Sequence, residues 1–334
     1  SVGGCEITWQ SSNPEVIATD GQVTRPAKGQ ESVQVILTAT LKYWDVSDTK
    51  SFEYTVTPVE EFPLAIKYAD FSKTSLLQFN GVSGTVETKD STEKDIKALQ
   101  FNNDRGPDDA IGGSVFTKNK ILLGDDLSFS AAFSYRNPHP DFTIGKSGFV
   151  FTLQTLSNEA YVKKLDDKSI KPSMNIAFIT DYRQGSSGGQ GTSYLYDESV
   201  AVYYNGDYED RTARYLITRE TNDSPSYNYV WIEYDGTAKK LEVRFSNDGL
   251  RPANSNLKIE DLDLAQTLIG PGDDLSIDDL REVYVGFMGS MGSTKDKSEI
   301  QSWYLKNDSV PIDFAAYNFM DVSNIVLSAD PSVG

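Results

Sequence analysis

Two carboxylates, Glu233 and Asp235, are the best candidates in this chain for acid–base chemistry, because they stand two residues apart in the run YVWIEYDG. Side chains alternate along a β-strand, so residues i and i+2 lie on one face. Retaining glycoside hydrolases use two carboxyl groups about 5–5.5 Å apart. A solvent-facing strand edge is nevertheless the stronger interpretation of this pair, and we expect the protein not to be an enzyme.

Other chemistry-bearing residues give weaker signals. The single histidine, His139, lies in NPHPD, where flanking prolines favour an exposed loop, so no serine–histidine–acid triad is indicated. The motif GDDLS occurs at Gly124–Ser128 and Gly272–Ser276. We interpret this motif as a turn that leads into a strand or helix, with Asp as a cap. The paired acids of the chain lack the alternating spacing of a calcium loop. They are Asp108-Asp109, Asp125-Asp126, Asp166-Asp167, Asp273-Asp274 and Asp278-Asp279.

The composition narrows the possible partners. The 334 residues are 38% hydrophobic and 24% charged, with a net charge of −18, so a packed core is expected. Such acidity argues against nucleic acid and against anionic membrane surfaces as partners. Cys5 is the one cysteine, so no internal disulfide forms, and no apolar run approaches the roughly 20 residues of a spanning helix. No signal peptide is visible at Ser1, and the opening suggests a fragment of a longer chain.

Alternating short runs predict an all-β chain of two domains. Residues 1–58 contain strands at Ile7–Trp9, Val33–Tyr43 and Lys50–Pro58, with a hairpin signal at Asp20-Gly21, which is typical of a small β-sandwich. Residues 59–66 are predicted to form a short stiff linker. Residues 67–334 contain many short strand-like runs, which predict a large two-sheet jelly roll with short helical turns in LKIEDLDLAQTLIG and SIDDLREV.

The first domain resembles the atrophied bacterial immunoglobulin-like module. The resemblance rests on W-x-S-S-N-P from Trp9, D-G-x-V-T-R-P from Asp20, and the L-T-A-T strand from Leu37. It implies a surface or secreted multidomain bacterial protein in which this module acts as a spacer. Trp9 and Trp44 could be sugar platforms, but we expect them to be buried inside the sandwich.

The second domain resembles the bacterial branch of the L-type (legume-like) lectins over most of its length. The matching segments, in family order, are GGSVFTKNKILL, LSFSAAFSY, SGFVFTLQT, MNIAFITDY, SVAVYYNGD, YVWIEYDGTAKKLEVRFS and VYVGFMGSMGSTKDKSEIQSWYL. The resemblance implies a concanavalin-like jelly roll that recognises carbohydrate without catalysis. Glycans are therefore the expected partners, with other surface domains of a longer chain, and the expected location is extracellular: secreted or on a bacterial cell surface.

Several residues depart from the family's pattern. Ser147 stands where the family has an Asp that binds sugar hydroxyls. Ala177 and Ile179 stand where a Glu and an Asp bind a transition metal and calcium, and neither side chain can be a ligand. Ser199 replaces the later His ligand, and Tyr203 stands where an Asp is common. We therefore expect no bound metal and no other cofactor.

A rim of loop residues is the expected carbohydrate site. Aromatic faces and hydrogen-bonding side chains are what such a site needs. The candidates are Asp141, Phe142, Ser147, Asp181, Tyr182, Arg183, Ser290, Met291, Gly292 and Ser293. Two alternatives stay open: a structural or protein-binding stalk that has lost its sugar site, which the substitutions at Ser147, Ala177 and Ile179 favour, and a glycosidase using Glu233 and Asp235.

Overall fold

The chain divides into two compact units, residues 1–63 and 64–334. The structure is a computed structural model, and it describes residues 6–24, 26, 30–56, 65–101, 112–136, 145–161, 168–184, 194–220, 227–270, 273–290, 298–314 and 325–326. The prediction of an all-β chain is confirmed. Most of the expected linker lies outside the described residues, and its last residue, Ile66, belongs to a strand of the second unit.

The first unit is built on one antiparallel sheet in the order β1-β2-β3. Its strands are β1 (Glu6–Ser11), β2 (Val33–Tyr43) and β3 (Val46–Val56). Trp44 and Asp45 form the tight turn between β2 and β3, and Trp44 has a φ of 54° there. The expected Asp20-Gly21 turn is present, with Gly21 at φ 92°, and an isolated bridge between Ile17 and Val23 pairs its two sides.

Only a small core is buried among the described residues of this unit. Ile17, Val35 and Val56 form it, with Val16, Val33 and Leu37 packed at its side. The expectation that the tryptophans are buried is wrong, because Trp9 is 42% exposed and Trp44 is 81% exposed. The reason is that the described residues cover only the half of the sheet near Val35, whereas both tryptophans lie at the other half.

The second unit is a two-sheet sandwich, as the alternating runs predicted. Its strands are β4 (Ile66–Tyr68), β5 (Leu77–Gly81), β6 (Gly84–Lys89), β7 (Asp95–Gln100), β8 (Gly113–Thr117), β9 (Ile121–Leu122), β10 (Phe129–Arg136), β11 (Gly145–Gln154), β12 (Ser173–Gln184), β13 (Tyr194–Tyr204), β14 (Ala213–Glu220), β15 (Tyr227–Asp235), β16 (Lys240–Ser246), β17 (Leu257–Ile259), β18 (Glu282–Ser290), β19 (Glu299–Lys306) and β20 (Ile325–Val326).

Two antiparallel sheets face each other in this unit. The nine-stranded sheet has the order β17-β16-β15-β10-β19-β4-β20, with β7 also on β19 and β6 on β7. The eight-stranded sheet has the order β14-β13-β12-β11-β18-β8-β5, with β9 also on β18. Alternation along each strand sends every second side chain into the layer between the sheets.

Aromatic rings dominate that layer. Phe133 of the nine-stranded sheet lies edge-on to Phe149, Phe178 and Phe287 of the eight-stranded sheet, with centroids 5.9, 5.4 and 5.1 Å away. Edge-to-face contacts of this kind add to the free energy of burial. The core fixes which residues of β11, β12 and β18 face outward, and so it positions the candidate site.

The expected helical turns are confirmed as two short helices, α1 (Leu264–Leu268) and α2 (Ile277–Arg281). Asp263 caps α1 by accepting the backbone N–H of Gln266 at 3.0 Å. The N-terminus of α2 is capped by Ser276 together with Asp279 of the first turn, whose carboxylate accepts hydrogen bonds from Ser276 N and Oγ. Within the described residues, no helix is long and apolar enough to cross a membrane.

The two GDDLS motifs form turns by different means. In the first, Asp126 accepts the backbone N–H of Ser128 and the hydroxyl of Thr237, just before β10. In the second, Asp273 accepts the N–H of Gly270 rather than capping the helix. The turn interpretation of these acids is therefore correct, although the cap of α2 is Ser276 with Asp279.

Candidate functional site

Strand pairing brings predicted site residues from three strands to one end of the eight-stranded sheet. Ser147 of β11 pairs with Thr180 of β12, and Lys146 pairs with Asp181. On the other side of β11, Gly148 pairs with Ser290, the last residue of β18. We call this end of the sheet the rim. The sequence prediction placed Asp181 in a loop, but the strand β12 continues past it to Gln184.

Two further predicted residues, Tyr182 and Arg183, lie near the rim. Tyr182 pairs with Gly145, and Arg183 pairs with Leu195 of β13, one pair before the end of the β12–β13 ladder. Asp141, Phe142, Met291, Gly292 and Ser293 lie outside the described residues, as does His139.

Two rows of chemically useful residues cross the rim, and sequence reasoning identified only Asp181 and Tyr182 among them. One row runs from Lys146 through Asp181 and Asp197 to Thr218, and the next outward places Tyr182 opposite Tyr196. Carboxylates and hydroxyls can pair with sugar hydroxyls, and tyrosine offers an aromatic face. Asp197 and Tyr196 lack a motif of their own, so only the β12–β13 register could have identified them.

Close backbone packing at the rim requires glycine. A Cβ atom on Gly148 would lie 2.3 Å from the carbonyl oxygen of Phe178. Gly81, which has a φ of 60°, would place a Cβ atom 2.1 Å from the carbonyl oxygen of Gly112. The turn from Asn80 to Gly84 is thus pressed against β8 at this same end, and an Asn-Gly turn signal in the sequence could have located it.

Beside the rim, the outer face of the eight-stranded sheet is apolar where the lectin resemblance predicts metal ligands. Ala177 is fully buried and Ile179 is 7% exposed. Both belong to a cluster that packs on the face turned away from the sandwich interior: Phe116, Val150, Ile170, Ala177, Ile179, Tyr203 and Met288. Methyl groups fill the positions at which a cation would need oxygen ligands.

These residues do not fit the family's pair of metal ions. Besides the two apolar side chains, Ser199 is buried in this face, and Tyr203 packs edge-on to Tyr208 with ring centroids 5.4 Å apart. Among the described residues, no group of three or more His, Cys, Asp or Glu side chains is placed to hold a metal ion. The absence of a metal stays a prediction.

A hydrogen-bonded network holds the segment 155–161 on the same outer face. The side chain of Gln154 holds the following turn, because its oxygen accepts the N–H groups of Leu156 and Ser157 and its nitrogen donates to Ser157 O. Asn80 donates to Asn158 O at 2.7 Å. Ser114 donates to Ala160 O at 2.6 Å. Residues 155–161 thereby cross the outer face from the end of β11 at Gln154 to the strands β5 and β8.

Glu233 is buried, and the expectation that it faces solvent is wrong. It is 6% exposed, and Arg251 donates to it twice: Nε to Oε1 at 2.7 Å and Nη2 to Oε2 at 2.6 Å. Arg244 also donates to Oε2. Arg251 comes from the loop after β16, so its approach could not be read from the strand pattern. A carboxylate held by two guanidinium groups is a poor acid or nucleophile.

The neighbouring carboxylates have structural roles as well. Asp235 accepts the N–H of Ala238 at 2.8 Å in the β15–β16 turn. Glu242, opposite Glu233 in the ladder, bonds Arg244 and Lys240. Burial raises the pKa of Glu242, but the hydrogen bonds from Lys240 and Arg244 outweigh burial and hold that pKa below its usual value. The hydrogen bonds to Glu233 raise the pKa of Arg251.

Two protein-family models match parts of this chain. Residues 197–315 match the legume lectin domain. Residues 1–59 match the atrophied bacterial Ig domain. The expected order, an immunoglobulin-like module followed by an L-type lectin unit, is therefore confirmed. No match is found among curated protein sequences.

Solved structures similar to this chain include three lectins or lectin-like proteins. Arcelin-5, a lectin-like defense protein from Phaseolus vulgaris, is 15% identical, with 72% of this chain and 96% of that chain covered and a TM-score of 0.45. The Bauhinia forficata lectin in complex with GalNAc is 16% identical, with coverage of 72% and 96% and a TM-score of 0.40. The VIP36 exoplasmic/lumenal domain, in a Ca²⁺/Man3GlcNAc-bound form, is 12% identical, with coverage of 77% and 94% and a TM-score of 0.45.

Proposed function

We propose that this chain recognises carbohydrate without catalysis, and that the sugar binds at the rim of the eight-stranded sheet. The observation that carries the proposal is the convergence of Ser147, Asp181, Tyr182 and Ser290 from three strands, within a unit whose residues 197–315 match the legume lectin domain. Binding sites on β-sandwiches commonly lie on loops that a rigid sheet presents.

The proposed site holds sugar without a metal ion. Ser147 replaces the anionic oxygen of the family's Asp, and the buried Ala177 and Ile179 supply no ligand. Recognition then depends on hydrogen bonds from the rim and on stacking against Tyr182 or Tyr196. Such a site gives weak monovalent affinity, and several copies on one surface raise the apparent affinity by avidity.

The cellular role proposed here is that of an adhesin or glycan-targeting region of a secreted or surface-attached bacterial protein. The match of residues 1–59 to the atrophied bacterial Ig domain supports a bacterial multidomain chain. The acidity of the chain, with a net charge of −18, favours neutral or cationic glycans over sulfated or sialylated ones.

A second candidate function is a protein-binding stalk that has lost its sugar site. The apolar cluster around Ala177 and Ile179 favours it, because packing has replaced the ion-binding side chains there. The glycosidase alternative loses its support, since both oxygens of Glu233 are bonded to arginine.

A glycan array probed with the full chain, displayed multivalently with and without EDTA, tests the proposal. We expect selective binding that survives EDTA and is reduced by Ser147→Ala. Tyr161→Ala is the matched control, because Tyr161 is an exposed tyrosine in the segment 155–161, which contains none of the predicted site residues. Binding lost in EDTA contradicts the metal-free site, and no binding to any glycan supports the stalk.

A further inference from the structure

The sheet of the first unit exposes half of an apolar face. Residues that pair across β1, β2 and β3 lie on a common face of the sheet, because side chains alternate along each strand. One of the two faces carries Val35 and Val56 and is therefore the face with the core. Beyond that core the same face carries Ile7, Trp9, Leu41, Tyr43 and Val46, which are between 42% and 71% exposed. We call these five residues the open face.

Such a face calls for a covering layer. A β-sheet with one apolar face is stable when another element packs on it, and an exposed cluster of large apolar side chains usually marks an interaction site. The described residues of this unit bury only Ile17, Val35 and Val56 in its core. The side chain of Trp44, in the adjoining turn, is also exposed. Its backbone has a positive φ, which a bulky residue rarely adopts.

The register of the sheet shows two neighbouring rows across the open face. The first row is Ile7 on β1, Leu41 on β2 and Asp48 on β3. The second row, one pleat along, is Trp9, Ala39 and Lys50 in the same strand order. Lys50 and Trp9 lie on this face beside Phe52, since the Lys50 Nζ is 5.4 Å and the Trp9 ring centroid 5.9 Å from the Phe52 ring centroid.

These rows are complementary to each other, and we infer that the open face binds a second copy of this chain. Consider a two-fold axis that lies in the plane of the interface, runs between the two rows and is perpendicular to the strands. This axis places the first row of one copy opposite the second row of the other. Leu41 then meets the small Ala39 of the other copy, and Asp48 meets Lys50. The third pair, Ile7 with Trp9, is apolar.

Each of the three contacts is made twice by the symmetry, so a single surface provides both halves of the interface. Packing of two sheets face to face is the arrangement that buries an inner apolar layer in β-sandwiches. The two three-stranded sheets together would thus form one sandwich, and each would supply the layer that the other lacks. Trp44 lies at the margin of this interface.

Sedimentation velocity of the full chain over a concentration series tests the inference. We expect a monomer–dimer equilibrium whose dissociation constant rises at least about tenfold in Leu41→Lys. Thr40→Lys is the matched control, because Thr40 is the adjacent position on the same strand and on the opposite face, and it should leave dimerisation unchanged. Circular dichroism confirms that both variants stay folded.

Exchange of charge gives a second, sharper readout. Asp48→Lys alone should weaken the dimer, because it brings like charges together at two symmetric positions. Asp48→Lys combined with Lys50→Asp should restore it, since the pair is merely reversed. A chain that stays monomeric at every concentration overturns the inference. So does a dimer that Leu41→Lys does not weaken, or a monomer that binds insoluble polysaccharide through Trp9.

Discussion

Glu233 and Arg251 are joined by two parallel hydrogen bonds, Nε to Oε1 at 2.7 Å and Nη2 to Oε2 at 2.6 Å, on the outer face of the nine-stranded sheet. Arg244 approaches the same carboxylate from the neighbouring strand. These hydrogen bonds hold the loop after β16 against the sheet. They also occupy both carboxylate oxygens of Glu233, which the sequence indicated as the best candidate for a catalytic acid.

Replacement of Glu233 should therefore affect stability. We expect Glu233→Ala to lower the free energy of unfolding by about 3–5 kcal/mol, because it leaves the buried Arg244 without its main partner. Urea denaturation measures the change. Glu87→Ala, at an exposed position of β6, is the control and should stay within about 0.5 kcal/mol of the parent chain. A loss below about 1 kcal/mol for Glu233→Ala contradicts this account.

Glycine at the rim should be irreplaceable at Gly148. We expect Gly148→Ala to cost about 1–3 kcal/mol, because its Cβ atom would lie 2.3 Å from Phe178 O and force β11 and β12 apart. Gly84→Ala is the matched control, because a Cβ atom there meets nothing within 4 Å. Thermal melts of the two variants compare them, and equal stability would show that the strands at the rim can separate without cost.

Metal ions should leave the stability of the chain unchanged. A ligand that binds only the folded state raises Tm with its concentration, so calcium or manganese at a metal site would do so. Because Ala177 and Ile179 offer no oxygen, we expect the same Tm in EDTA, calcium and manganese. Differential scanning calorimetry provides the measurement, and a calcium-dependent rise in Tm that EDTA reverses would contradict the expectation.

Acid should destabilise the second unit through carboxylates whose pKa lies below the usual value. For Asp126, burial raises the pKa, but hydrogen bonds from Ser128 and Thr237 outweigh it; Glu242 behaves likewise with Lys240 and Arg244. A depressed pKa in the folded state means that the unfolded state binds more protons as pH falls. Stability is thus present above the unfolded pKa and is lost as pH falls through the folded pKa.

Glu242→Gln isolates one of these contributions. The variant should show a shallower loss of unfolding free energy between neutral pH and about pH 3 than the parent chain, because one titrating carboxylate is gone. Urea melts across that range follow the change, with Glu87→Gln as an exposed control. An unaltered slope in Glu242→Gln would show that its bonds to Lys240 and Arg244 do not contribute to acid unfolding.

Local pattern predicted much of the fold. The alternating run Val33–Tyr43 coincides with β2, and the amphipathic stretches near Leu264 and Ile277 contain the two helices. These elements depend on neighbouring residues, so the sequence carries their signal. The core face of the sandwich follows from the same alternation, since Phe149 and Phe151 point inward.

Contacts between distant segments could not be predicted in the same way. Glu233 is buried because Arg251 reaches it across a loop, and Asp197 stands opposite Asp181 because of a register that no motif encodes. Trp9 and Trp44 looked like core residues by type, yet their surroundings leave them exposed. For Glu233 and Asp197, the deciding partner lies on another strand or loop.

Titration of the best array glycan against three chains in EDTA tests the central claim most directly. Isothermal titration calorimetry would compare the parent chain, Tyr182→Ala at the rim and Tyr161→Ala in the segment 155–161, which contains none of the predicted site residues. A metal-free site at the rim predicts that Tyr182→Ala weakens binding about tenfold or more and that Tyr161→Ala leaves it unchanged. Equal affinity of all three chains, or weakening by Tyr161→Ala alone, would contradict a sugar site at the rim.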